Sequence, residues 1–246
     1  MKVAAILFVL LTTLAPAHVF DRGILEVEQF GRPRARPIIF IPGLACGRWV
    51  WDAQIRALAP KYALFVVTLP GFDGRDMIGG DDLMRRAVDS IHAIIALERL
   101  QRPVVVGHSL GGTLAVMFAQ TYPNDASNIV SVEGGYPIAP TTATRKAAVR
   151  RNVAPYLGVT QAQLGRTLRT NLLQYTITRK ADVDRVTQLA ARSKPQAIVE
   201  WMNAALPLDL RSRMRAIRVP FTAIIPFDPQ IDRYQGFPTK AAKVAA

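Results

Sequence analysis

The sequence predicts an α/β fold in which a mostly parallel sheet has helices on both faces. Short runs of β-branched and aromatic residues alternate with helical patterns along the 246-residue chain, and such alternation is typical of parallel sheets. Half of the residues (50%) are hydrophobic, enough to form one sizeable core. One long segment, 137–210, has helical periods and no convincing strand. We therefore expect one sheet-based domain with a helical cap inserted late in the chain.

The first 17 residues are expected to be a signal peptide. Lys2 precedes an apolar run at 3–14, and the small residues Ala15 and Ala17 follow it, which is the pattern of an export signal cleaved after residue 17. An uncleaved anchor is the alternative, but the run is too short to cross a bilayer core of about 30 Å. The predicted product is a periplasmic or secreted protein that begins at His18.

Six strands are predicted in the remainder of the chain. They are expected at residues 24–30, 37–41, 63–68, 103–106, 128–132 and 220–225. The first alternates weakly, as an edge strand does, and the other five suit strands covered on both faces. Helical patterns lie at 49–58 and 82–100. The core is thus predicted to consist of 18–136 and 211–246, with the cap at 137–210 between them.

The positive charge of the chain is concentrated in its second half. The net charge is +13, and residues 145–218 hold fifteen Lys and Arg against four Asp and Glu. Such a surface attracts carboxylate substrates or anionic membranes weakly and over long range, whereas the alternative is a basic surface that only keeps the protein soluble. No nucleic-acid partner is expected, and the oligomeric state is left open.

Cys46 is the only cysteine, so an intrachain disulfide is excluded even for an exported protein. The sequence provides this thiol with no basic partner. We expect a small packed residue rather than a reactive thiol.

A nucleophile elbow is predicted at Ser109. An apolar strand run precedes the Gly-His-Ser-Leu-Gly motif at 107–111, and a helix-like segment follows it. A sharp strand-to-helix turn strains the serine backbone, so Gly107 and Gly111 are needed where side chains would collide. The helix N-terminus also favours the negative charge that develops in acyl transfer. A chance Gly-X-Ser-X-Gly is the alternative, but here both required elements flank the motif.

From about Phe30 to its end, the chain resembles the α/β-hydrolase family. In that family a loop after an early strand supplies one N–H of the oxyanion hole, and 41–49 stands where this loop belongs. The resemblance implies Leu44 and Leu110 as the two backbone donors. Many relatives carry His-Gly where this chain has Pro-Gly at 42–43, a change that affects packing more than backbone donors.

The residues around the predicted pocket mouth have two interpretations. The turn at 69–74 resembles the family's turn at this place, and Trp49 and Trp51 open the helix after the oxyanion loop. These residues either wall the pocket or belong to the core.

The same resemblance implies Asp228 as the acid, because it follows the last predicted strand. An aspartate before proline is also a plain turn former. Glu133, after the preceding strand, is the alternative acid.

The catalytic base is the part that the sequence does not supply. The family order is Ser, acid, His, but no histidine follows His108. His18 lies at the predicted mature terminus, His92 lies in a helix, and His108 belongs to the elbow itself. The resemblance therefore implies a chain that ends before the last strand and the base loop.

The sequence predicts a serine hydrolase that acts on a small carboxylic ester or similar acyl substrate, with impaired activity. One alternative is a non-catalytic binding module for a lipid or an acidic small molecule. Another is an incomplete gene product of an ordinary hydrolase. No metal cluster, phosphate loop or dinucleotide motif occurs in the sequence, and we expect no cofactor.

Overall fold

The chain folds around one seven-stranded sheet. The computed structural model describes residues 15–135, 141–229 and 239–241. Within them the strands are β1 (His18–Arg22), β2 (Leu25–Gly31), β3 (Pro37–Ile41), β4 (Ala63–Thr68), β5 (Val104–His108), β6 (Asn128–Val132) and β7 (Phe221–Ile224). Their order across the sheet is β1-β2-β4-β3-β5-β6-β7. The first two strands pair antiparallel, and β4, β3, β5, β6 and β7 are parallel. The predicted fold class is confirmed.

The strand predicted at 24–30 is present as β2, but the prediction that it is an edge strand is wrong, because β1 pairs along its outer side with His18 opposite Gln29. The two strands form a hairpin, and Gly23 in its turn has φ +57°. A Cβ there would lie 2.2 Å from Ser90 Oγ, so the turn needs glycine. Arg22 and Leu25 close the hairpin pairing. The apolar run at 3–14, which was predicted as part of a signal peptide, lies outside the described residues.

Successive residues of the central strands pack on opposite faces of the sheet. Ile38 and Phe40 of β3 belong to a cluster with Ile55 of α1 (Asp52–Leu58). Ile39 and the alternate residues of β4 instead pack on α2 (Leu83–Leu97) and α3 (Leu110–Thr121). The central strands are therefore covered on both sides, as their unbroken apolar sequences require.

Four α-helices lie between β6 and β7 within the described residues. They are α4 (Thr142–Val153), α5 (Gln161–Asn171), α6 (Lys180–Ala190) and α7 (Pro195–Ala205). Thr141 and Thr144 form a capping box at the start of α4, which satisfies free N–H groups there. Trp201 is fully buried and its Nε1–H donates to Pro70 O at 3.0 Å. This bond ties α7 to the core loop after β4.

The strand β7 is the most exposed strand of the parallel part. Its neighbour among the described residues is β6, and three of its four residues are exposed, with Ile224 at 46%. The predicted absence of a last strand and base loop stays a prediction. No helix of the described part of the chain is long and apolar enough to cross a membrane.

Candidate active site

Ser109 occupies a strained turn between β5 and α3. Its backbone has φ +52° and ψ −115°, a region that costs a non-glycine residue about 1–3 kcal/mol and is held only by surrounding structure. Ser109 N–H donates to Val132 O at 2.8 Å, and Thr113 N–H donates to Ser109 O at 3.0 Å. The neighbouring strand and the first turn of the helix therefore hold the serine in place.

The two motif glycines are needed because the backbone approaches itself at this turn. A Cβ on Gly107 would lie 2.0 Å from Gly111 O, and a Cβ on Gly111 would lie 2.2 Å from Ile41 O. Atoms of a side chain do not approach that closely. The turn thus has the backbone geometry that the sequence motif predicts.

The loop after β3 lies directly against Ser109. A Cβ on Gly43 would be 3.3 Å from Ser109 Cβ, and Leu44 and Leu110 line one cavity together with the serine. Leu110 is the first residue of α3, where backbone N–H groups have no partner inside the helix. The structure therefore brings both predicted donor residues to Ser109.

The cavity has a volume of about 460 Å³ and is mainly apolar. Core residues supply Trp49 and Val50, and the cap supplies Leu173, Trp201 and Met202. Among the lining residues that the structure describes, none is Lys or Arg. The cavity therefore suits an uncharged apolar group, and the basic surface of the chain does not extend into it.

Of the two tryptophans with open interpretations, only Trp49 lines the cavity. Trp51 packs on Phe40 on the other face of the sheet, with ring centroids 4.9 Å apart.

Three titratable side chains share the cavity wall with the serine: Cys46, His108 and Glu133. Burial lowers the pKa of His108, and the nearby Glu133 opposes that shift. His108 Nδ1 is buried and has no hydrogen-bond partner among the described residues. The imidazole is therefore neutral at pH 7.

Glu133 is held beside the elbow by its own loop. It has φ +53°, and its N–H donates to Ile224 O at 2.9 Å. A Cβ on Gly134 would lie 2.2 Å from Ser109 O, so this loop and the elbow are in direct contact. The structure places the alternative acid on the cavity wall.

Asp228 follows β7 by four residues and is half-buried at the carboxyl edge of the sheet. It is not among the residues that line the cavity with Ser109. The two predicted acids thus differ in position, and only Glu133 shares the wall with the nucleophile.

Cys46 lines the cavity with its thiol protonated. Burial raises the pKa of Cys46 to about 12, and the negative charge of Asp73 acts in the same direction. A thiol with such a pKa is a poor nucleophile at pH 7.

Asp73 belongs to the turn at 69–74 that was predicted at the pocket mouth, but no role of its own was predicted for its carboxyl group. A Cβ on Gly47 would lie 2.0 Å from Asp73 Oδ2, so the carboxyl group stands directly on the oxyanion loop. Arg192, between α6 and α7, places Nη1 3.2 Å from Asp73 Oδ1. Burial raises the pKa of Asp73, and Arg192 and Arg48 oppose the shift. Asp73 also has φ +49°, which is uncommon for a non-glycine residue.

In the part of the chain that the structure describes, no group of three or more His, Cys, Asp and Glu side chains is placed to hold a metal ion.

The sheet order, the elbow and the cavity together define an α/β hydrolase. Residues 38–242 match the model of the alpha/beta hydrolase family, and the chain belongs to that family.

Three relatives illustrate the similarity. RutD of Cronobacter turicensis, a proposed carbamate hydrolase, is 31% identical over 111 residues, covering 45% of this chain and 42% of that protein. The human monoacylglycerol lipase ABHD6 is 30% identical over 106 residues, 42% of this chain and 32% of the lipase. The matches thus span less than half of either relative. A carboxylesterase structure from Nitrososphaera gargenis has a TM-score of 0.70 at 17% identity, covering 92% of this chain and 86% of that one, and shows the shared fold.

Proposed function

We propose that this chain is a serine hydrolase of uncharged, apolar carboxylic esters, with Ser109 as its nucleophile. The observation that carries the proposal is the strained Ser109, which lies at the N-terminus of α3 on the wall of an apolar cavity. Strain of this kind persists at sites where the backbone must present a group in one orientation. The name of one relative, a monoacylglycerol lipase, supports the same substrate class, whereas the name of RutD points to a carbamate.

The proposed reaction has two steps. Ser109 Oγ attacks the ester carbonyl carbon, its hydroxyl proton passes to a water molecule because no histidine follows His108 in these 246 residues, and the N–H groups of Leu44 and Leu110 bind the oxyanion. The alcohol leaves with a proton, and an acyl-serine remains. Water then attacks the acyl group in the same hole, which releases the acid and restores the serine.

The acid of this site is proposed to be either Asp228 or Glu133. Asp228 has the position that the family resemblance implies, whereas Glu133 shares the cavity wall with Ser109. Asp228→Asn and Glu133→Gln distinguish them, because each substitution removes a carboxylate charge but keeps the shape of the side chain. The variant that lacks the catalytic carboxylate should lose activity, and the other should keep it. If each variant keeps full activity while Ser109→Ala is inert, neither residue is the acid.

The base is proposed to be absent from these 246 residues, since no histidine follows His108. A model serine protease that lacks a triad residue still accelerates its reaction roughly 10³- to 10⁴-fold over the uncatalysed rate, because its oxyanion hole and its substrate binding remain. We therefore expect slow turnover rather than none.

The first test is labelling of the purified chain by an alkyl fluorophosphonate, followed by peptide mass spectrometry, beside hydrolysis of p-nitrophenyl butyrate. We expect the label on Ser109, and we expect Ser109→Ala to lose both label and hydrolysis. Ser212→Ala removes an exposed hydroxyl just after the cap and should change neither. Hydrolysis that persists in Ser109→Ala would overturn the proposal.

The second candidate function is a non-catalytic binding module that holds a lipid in the same cavity. Its support is the apolar lining of the cavity. Because no lining Lys or Arg is described, we favour an uncharged lipid over an acidic small molecule. A folded chain that binds a fluorescent fatty ester, but neither turns it over nor takes the fluorophosphonate, would favour this function.

A further inference from the structure

The outer face of α4 carries positive charge and no negative charge. Lys146, Arg150 and Arg151 are exposed, while Ala148 and Val153 on the other face are buried. Residues four apart lie on the same side of a helix, so Lys146 and Arg150 form one stripe, with Arg151 beside it. The helix contains no Asp or Glu.

Five cations of the cap have a carboxylate partner among the residues that the structure describes, whereas the three on the outer face of α4 have none there. By contrast, Arg145 on the inner face of the same helix pairs with Asp209 at 3.1 Å. Arg169 of α5 pairs with Asp184 of α6. The outer face of α4 therefore keeps its full charge toward solvent.

The helix dipole accounts for only part of this arrangement. Arg150 and Arg151 lie in the last turn, where cations interact favourably with the negative end of the dipole. Lys146 lies in the N-terminal half, where that reason does not apply. Leu157, four residues after the end of α4, is 62% exposed, and solubility does not explain an exposed leucine that follows three exposed cations in the chain.

The same helix also borders the cavity. Asn152 of α4 lines the cavity together with Ser109, and it lies next to Arg151 in the chain. The outer face of α4 is therefore separated from the cavity only by the width of this helix.

We propose that Lys146, Arg150, Arg151 and Leu157 form a docking surface for an anionic lipid bilayer. The cations bind the negative headgroups, and Leu157 enters the apolar boundary below them. Each basic residue near such a surface contributes roughly 5-fold in binding, so that the three together contribute on the order of 100-fold at low salt. The interaction does not depend on catalysis by Ser109.

The test is co-sedimentation of the full chain with vesicles of phosphatidylcholine alone and with added phosphatidylglycerol. We expect binding to the anionic vesicles that weakens steeply with salt. Lys146→Gln/Arg150→Gln/Arg151→Gln should lose on the order of 100-fold of it. Leu157→Ser should weaken binding severalfold at unchanged charge. The neutral vesicles measure any contribution of the apolar run at 3–14, which is identical in all variants.

The matched control removes three cations from other cap helices: Arg166→Gln/Lys180→Gln/Arg185→Gln. All three side chains are exposed, and no ion pair is described for them. If this control loses as much binding as the α4 variant, the net charge and not α4 is responsible, and the proposal fails. It also fails if a single-stranded RNA displaces the vesicles at equal charge, since the surface would then be a general polyanion site. Circular dichroism checks that each variant is folded.

Discussion

At the scale of single residues, the site depends on places where the backbone leaves no room for a side chain. Gly107 and Gly111 allow the close approach around Ser109. Glu133 and Asp73 accept positive φ without being glycine. Such residues store strain that the surrounding packing must balance, so small substitutions there should have large effects on stability.

Gly111→Ala should lower the free energy of unfolding by about 2–4 kcal/mol, because its Cβ would lie 2.2 Å from Ile41 O and backbone must move to accommodate it. Gly79→Ala is the control, since nothing lies within 4 Å of a Cβ there and no positive φ is recorded. Urea denaturation followed by fluorescence measures both. Equal stability of the two variants would contradict the close approach at the elbow.

His108 should make the fold sensitive to acid. Burial lowers its pKa in the folded state below the ordinary value of 6.5, so below about pH 6.5 the unfolded chain binds a proton that the folded chain does not. Stability from the neutral imidazole is full above that pH and is lost as the pH falls toward the lowered pKa, by up to about 1.4 kcal/mol per pH unit.

The check is the free energy of unfolding of the wild type and of His108→Gln between pH 7.5 and about pH 5. The variant should show a flatter pH dependence in this window. Parallel curves would mean that His108 titrates alike in the folded and unfolded states.

At the scale of secondary-structure elements, the buried parallel strands were the easiest to predict. Their unbroken apolar runs reflect cover on both faces, and β3, β4 and β6 begin and end at the predicted residues. The strand β1 was missed because most of its side chains are exposed or half-exposed and only its pairing with β2 defines it. Local patterns carry little information about such a strand.

In the candidate site, too, the residues of a local motif were predicted, whereas contacts between residues distant in sequence were not. Ser109 and its two glycines lie within five consecutive residues, so a local motif was enough to predict their turn. Asp73 meets Gly47 across 26 positions of sequence, and no local pattern indicates that contact. The position of Glu133 on the cavity wall likewise depends on how two loops pack, which a single sequence does not state.

The attachment of α7 to the core can be tested through Trp201. Trp201→Phe removes the bond from Nε1 to Pro70 O and leaves a carbonyl without that donor, which should cost about 1–3 kcal/mol. Trp51→Phe is the matched control, because Trp51 is also buried but its Nε1 has no partner among the described residues. Thermal unfolding should separate the two variants. A smaller loss for Trp201→Phe than for Trp51→Phe would contradict this attachment.

At the scale of the whole molecule, the chain has a net charge of +13. The wall of its cavity, by contrast, is mainly apolar, and Glu133 is the one Asp or Glu among the described lining residues. We propose different ligands for the two: the outer face of α4 binds anionic headgroups, and the cavity binds an apolar ester. They are separable, because charge on the outer face of α4 can be removed without altering the cavity lining. Combined variants should therefore act independently.

Export is a further proposal at this scale. We expect the mature chain in the periplasm or the medium to begin at His18, the first residue of β1, because the preceding residues have the pattern of a cleaved signal. N-terminal sequencing of protein secreted by a bacterial host checks this. Material that keeps Met1 and stays with the cells would contradict it, and a variant with Ala15→Arg and Ala17→Arg should block cleavage.

The contact between Asp73, Gly47 and Arg192 has a consequence for the evolution of the protein. One carboxyl group touches the oxyanion loop on one side and the cap linker on the other. Mutations that reshape the cap near Arg192 to admit a new substrate therefore also alter the support of that loop. In a directed-evolution library, we expect gains in substrate range at this linker to need compensating changes at residue 73 or 47.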